Sequence, residues 1–146
     1  MIKKQKLFLV ILLLLGCSCD PKDTLVNPTL TSPLLNTQWS FLGYDSAGVY
    51  IHPLLESQYY HIHFLDSNFR GESDTSCINT YGGPYQIFGV DSIFIQYVIS
   101  TRVACRESYW NYIHSLEKAT KYYIRNDSLI IYLRDNLKKM FFYKSN

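Results

Sequence analysis

Four histidines, four cysteines and a few paired carboxylates are the side chains of this 146-residue sequence that could do chemistry. His61-Ile62-His63 places two imidazoles on one strand face, because successive strand side chains point to opposite sides. With His52 or Glu56 as a third ligand this would form a zinc or copper site. Ile62 and Phe64 read as core residues, however, which turns both histidines to solvent, so no metal is expected. His114 falls between the core positions of a helix and needs no special role. Cys77 and Cys105 lack the Cys-x-x-Cys spacing of a metal site, and no histidine lies close to either in sequence. Ser76 and Ser100 lie near those cysteines, but there is no Gly-x-Ser-x-Gly elbow and no histidine placed to activate either. Glu72 and Asp74 share a strand face, as a general acid and base would; a solvated face accounts for them more simply. No glycine-rich phosphate loop is present. The expectation is a non-enzyme without a cofactor.

The elements that would position these residues begin after a distinct N-terminal segment. Lys3, Lys4 and Lys6 precede nine unbroken apolar residues, Leu7 to Leu15, then Gly16 and Cys17. A basic start, a short apolar run and a small residue before the cut are the parts of a secretory signal. The run is shorter than the roughly 20 residues that span a bilayer. Leu14-Leu15-Gly16-Cys17 resembles the bacterial lipobox, Leu-x-Gly/Ala-Cys, in which the cysteine thiol takes a diacylglycerol and the chain is cut before it. Residues 1–16 are then the signal and Cys17 the lipidated mature terminus, attached to membrane through palmitate-type chains worth ~0.8 kcal/mol per buried CH2. A plain signal, an uncleaved anchor and cleavage before Cys19 are the alternatives. Ser18 after Cys17 differs from an Asp-type inner-membrane retention signal, which points to the cell envelope and its outer membrane.

Removing the signal changes the charge. Lys+Arg falls from 14 to 11 while Asp+Glu stays at 12, so the formal charge of +2 becomes about −1 over 130 residues. The basicity belongs to export, and no Lys/Arg cluster remains that would suit nucleic acid. The mature length fits one domain, expected as a monomer. Residues 17–34, with Pro21, Pro28 and Pro33 among polar residues, read as a flexible tether spanning roughly 20–25 Å, or alternatively as ending in an edge strand over Thr29–Leu35.

Residues 35–146 read as the domain. Thirteen tyrosines favour sheet. Alternation and turn residues predict strands over Trp39–Tyr44, Tyr59–Leu65, Phe69–Asp74, Tyr85–Phe88, Ser92–Val98, Tyr122–Arg125, Ser128–Leu133 and Lys139–Tyr143. Asp66-Ser67-Asn68, Gly89-Val90-Asp91 and Asn126-Asp127 are the turns. Between Arg106 and Lys118, Tyr109, Tyr112, Ile113 and Leu116 follow the spacing of one helix face, with Glu107 and Lys118 placed as the helix dipole prefers. The predicted fold class is mainly β (α+β): a small, partly open antiparallel barrel with one helix packed over an opening or face. Its core is Trp39, Phe41, Phe64, Ile93 and the helix face.

Two patches carry a family resemblance. Cys77-Ile78-Asn79-Thr80-Tyr81-Gly82-Gly83-Pro84-Tyr85 resembles the Cys-Asn-x-Phe/Tyr-x-Gly-x-Tyr motif of the META/HslJ domain family, with Ile78 as an extra residue and Ser76 where glycine is usual. Thr101-Arg102-Val103-Ala104-Cys105 is similar to the family's Thr-x-Met-Ala-Cys, with Val103 for methionine. Leu35 and Trp39 resemble its opening strand, and the helix and closing strands follow in the family's order. The resemblance covers roughly residues 34–146. It implies an envelope barrel with a helix, no common reaction or ligand, a link in some members to stress tolerance, and Asn79, Tyr81, Gly83, Tyr85, Thr101 and Ala104 as motif residues. Because Cys77 and Cys105 sit in the two patches, it also implies a disulfide between them, in the oxidising compartment that export reaches. Two reduced, buried thiols are the alternative. Cys19 is left over, as a free thiol near the membrane, an intermolecular partner or a second acylation site.

Tyr59, Tyr81, Tyr85, Tyr97, Tyr109, Trp110 and Tyr123 cannot all be buried. They read as half-buried strand residues or as a face for sugar, peptide or protein. The function expected is a lipid-anchored, non-catalytic binding or structural domain. A lipocalin-like barrel holding an apolar ligand inside is the alternative, to be distinguished by whether the interior is solid or hollow.

Overall fold

The computed structural model describes residues 32–51, 60–73, 78–101, 104–135 and 137–145. The signal, Cys17, Cys19, most of the tether, His52, Glu56, Tyr59, Asp74, Ser76 and Cys77 lie outside the described residues. Among the described residues, ten strands and one helix follow one another: β1 Thr37–Ser46, β2 Val49–Ile51, β3 Tyr60–Phe64, β4 Asn68–Ser73, β5 Thr80–Phe88, β6 Ser92–Ile95, β7 Ile99–Ser100, α1 Glu107–Leu116, β8 Ala119–Arg125, β9 Ser128–Leu133 and β10 Lys138–Lys144.

Eight strands form a ring in the order β1-β3-β4-β5-β6-β8-β9-β10, and β10 pairs back onto β1. All pairings are antiparallel. Closure removes the exposed strand edges that an open sheet leaves unpaired. The ring is thinnest between β6 and β8, where a single register pair, Ser92–Lys121, joins the strands; the Tyr122 amide adds one bond to the Asp91 carbonyl at 2.7 Å. This is the fold class expected, a small barrel left partly open at one seam with a helix packed on it.

Period-two patterning explains the interior. Tyr60, Ile62 and Phe64 of β3 are buried, and His61 and His63 between them face outward. In β1, Trp39 and Phe41 point inward, and a bulge between Phe41 and Gly43 shifts the register against β10. The extra residue brings Tyr44 back to the inner side, with its ring 4.9 Å from that of Phe41. The two ends of the barrel are closed differently. At one, α1 lays Tyr109, Tyr112, Ile113 and Leu116 over the opening, and the Tyr112 ring stacks on Tyr60 at 4.5 Å. At the other, Leu34 is fully buried with Trp39, Phe64 and Leu129. The chain entering β1 is therefore part of the core three residues before the strand begins. The four strand residues expected at the centre, Trp39, Phe41, Phe64 and Ile93, are all buried.

Several element bounds differ from the sequence expectation, each for a local reason. β5 starts at Thr80 and not Tyr85, because Gly82-Gly83-Pro84, which reads as a turn, is tolerated within a strand. β2 is a three-residue edge strand with no buried side chain, so it leaves no hydrophobic period to read. The predicted strand Ser92–Val98 breaks after Ile95. There three residues of one strand oppose two of β5, since Ile95 pairs with Tyr85 and Ile99 with Gly82. The helix ends at Leu116, so His114 and not Lys118 is the basic residue of its last turn.

A candidate binding groove on the outer face

The outward side chains of β1, β3, β4 and β5 line an open groove of about 790 Å³, walled by the segment from Tyr97 to Thr101. Register fixes its floor. Gln38 lies opposite His63, and His63 opposite Arg70, which makes one row across three strands. His61, Glu72 and Thr80 make the neighbouring row. Strands are ~4.8 Å apart and residues two apart along a strand ~6.7 Å, so each row of three spans roughly 10 Å.

The wall depends on Gly83. A Cβ at that position would sit 2.1 Å from the Tyr97 carbonyl oxygen. The bare glycine lets that carbonyl lie against β5, and the bulge then stands Tyr97 and Ile99 out beside the floor. Both are well exposed, at 46% and 66%. The Val98 amide is held from the helix side by a Glu117 carboxylate oxygen at 3.1 Å.

The expected histidine pair does share one outer face. Among the described residues, no three His, Cys, Asp or Glu side chains are grouped to hold a metal. His61 has a role that sequence reasoning missed: its Nδ1 meets the Ser40 hydroxyl at 2.7 Å, and Ser40 also meets the Ser145 hydroxyl at 2.5 Å. Serine, histidine and the neighbouring Glu72 are the residue types of a nucleophile, base and orienter. Ser40 is only 1% exposed, however, and its oxygen is already shared, so the contact pins the C-terminal end of the chain to the barrel. His114 is exposed and pairs with Glu117 at 3.7 Å.

The motif residues act inside the protein. Asn79 is fully buried. Its Oδ1 accepts from the Thr101 hydroxyl at 2.9 Å, its Nδ2 points at Cys105 Sγ, and its backbone N–H donates to Ser73 Oγ at 3.2 Å. Asn79 thereby joins the start of β5 to the segment leading into α1. Tyr81 reaches across the barrel, donating to the His61 carbonyl at 2.7 Å and meeting the Tyr112 hydroxyl at 2.8 Å. Burial, then the Tyr112 hydroxyl beside it, holds its pKa well above the usual tyrosine value. The Tyr85 hydroxyl donates to the Leu65 carbonyl at 2.6 Å. Ala104 is exposed. Of the open aromatic residues, Tyr81, Tyr85 and Tyr109 are buried, Trp110 half-buried, and Tyr97 and Tyr123 exposed.

Fold and site together define a small antiparallel barrel with a capping helix, a side-chain-filled interior and a recess on its outer wall. No family model matches the chain, and no curated protein matches it. Among solved structures, the fold is similar to that of a DUF4847 family protein from Bacteroides vulgatus ATCC 8482, with a TM-score of 0.58 and 16% identity, over 78% of this chain and 97% of that one. At that identity the likeness is one of fold.

Proposed function

We propose that this chain is a lipid-anchored envelope protein whose META/HslJ-like barrel works by binding through its outer surface and carries out no reaction. The observation that carries this reading is where space is found. The barrel interior is occupied by buried side chains from Leu34 at one end to Tyr112 and Leu116 at the other, whereas the groove of about 790 Å³ is on the outside. A solid interior favours this reading over a lipocalin-like carrier, which needs an apolar cavity within the barrel.

The anchor rests on the sequence: a basic start, the apolar run and Cys17 after Gly16. Residues 1–16 are removed, Cys17 carries the acyl chains, and the tether ahead of Leu34 links membrane to barrel at the outer membrane. Cys77 is proposed as the disulfide partner of Cys105. Support in envelope stress is the physiological role that the resemblance implies.

Crosslinking and pull-down from membranes tests the reading, comparing the native chain with Cys17→Ala and with Arg70→Gln. A partner captured by the native chain and lost in both variants supports anchored binding through the groove. Equal capture by Arg70→Gln moves the binding face elsewhere, and a soluble, unmodified native chain removes the anchor.

A further inference from the structure

The groove contains two opposite charges that the fold does not use. Arg70 and Glu72 are exposed neighbours on the outer side of β4. Neither side chain makes a hydrogen bond or ion pair among the described residues. We infer that Arg70 and Glu72 are the two poles of a site for the C-terminal end of an extended peptide, a reading that rests on the groove being the binding face.

The chemistry follows from geometry. A guanidinium presents a planar fork that matches a carboxylate in a bidentate pair. His63 and Gln38 continue the same row and offer further donors beside it. The groove holds one fixed cation and one fixed anion, which suits a monoanionic carboxylate and not a doubly charged phosphate, because Glu72 would repel the second charge. Glu72 is acceptor-only when ionised and is two residues from Arg70, ~6.7 Å along the strand. In an extended peptide the backbone N–H one residue before the last lies roughly that far from the terminal carboxylate, at ~3.3 Å per residue. A peptide laid along β4 therefore puts its carboxylate on Arg70 and that N–H on Glu72. Tyr97 and Ile99 then stand beside it as an apolar wall for the terminal side chain.

The test uses the full-length chain in mild detergent and calorimetric titration with four probes: acetyl-Gly-Gly-Phe and acetyl-Phe, each as free acid and as amide. The tripeptide acid is expected to bind at least tenfold tighter than its amide and severalfold tighter than acetyl-Phe. Arg70→Gln should abolish the acid–amide difference, Glu72→Gln should abolish the gain from length but keep the acid preference, and Tyr97→Ala should weaken all probes alike. Equal binding of acid and amide, or an acid preference that survives Arg70→Gln, overturns the carboxylate assignment. A preference for acid with no gain from length overturns the peptide and leaves a free small carboxylate as ligand. If no probe binds a chain with native far-UV dichroism, the inference falls, while membrane pull-down judges the docking face separately.

Discussion

Tyr81 lies over Gly71, its register partner on the neighbouring strand, and its ring occupies the place that any side chain at position 71 would take. A Cβ there would lie 2.0 Å from the ring. Aromatic cover of a strand glycine recovers packing that the glycine itself cannot give. Gly71→Ala is expected to lower unfolding free energy by about 1–3 kcal/mol through overpacking. In the Tyr81→Leu background the same substitution should cost clearly less. Urea unfolding of the four chains measures the coupling, and additive effects would mean that the ring does not set the requirement.

Three tyrosine hydroxyls of this core should not respond alike to deletion. Tyr81 serves both the His61 carbonyl and Tyr112, so Tyr81→Phe strands buried partners and should cost about 1–3 kcal/mol. The Tyr44 and Tyr122 hydroxyls are buried with no hydrogen-bond partner among the described residues. Tyr44→Phe and Tyr122→Phe should therefore be neutral or stabilising by up to about 1 kcal/mol. Matched thermal melts of the three variants decide the point.

Alkaline pH should loosen the helix-covered end first. Burial pushes Tyr44 up to about 12 from an unfolded value of 10.0. Tyr112 is raised further in the same direction, again by burial. The folded state thus holds these protons more tightly than the unfolded chain does. Stability from this source is complete below pH 10 and is lost as pH climbs through 12. Phenolate absorbance should show exposed tyrosines titrating ahead of this group, with the late fraction appearing together with loss of near-UV dichroism. A single early transition for every tyrosine would contradict the burial argument.

Reduction should destabilise the barrel without unfolding its strands. A Cys77–Cys105 bond closes a loop of about 29 residues, for which the chain-entropy model gives roughly 3–4 kcal/mol. Cys105→Ser is expected to lose an amount of that order and to become insensitive to reductant. Asn79→Ala, which removes the Oδ1 that accepts from Thr101 and the Nδ2 that points at Cys105, should cost a further 1–3 kcal/mol or so. Unchanged stability of the native chain in reductant would remove the disulfide from the account.

The groove shows how far sequence could have gone. Alternation already places His61 and His63 on one face, and the same rule places Arg70 with Glu72. Closing the hairpin at Asp66-Ser67 so that Phe64 meets Phe69 sets His63 against Arg70. That much was available in the sequence. Gln38, Tyr97 and Ile99 were not, because they arrive from strands that are neighbours only once the ring is formed.

Local pattern was enough for most strands, the helix with its buried face, and a core of Trp39, Phe41, Phe64 and Ile93, because burial on one side writes a period of two or 3.6 into the chain. Tertiary structure decided what carries no period. It closed β10 onto β1, turned Tyr44 inward through a one-residue bulge, and kept Gly82-Gly83-Pro84 inside a strand. It also buried Asn79 against residues more than twenty positions away. Each of these depends on which backbone lies next to which, a contact between distant segments that neighbouring residues do not encode.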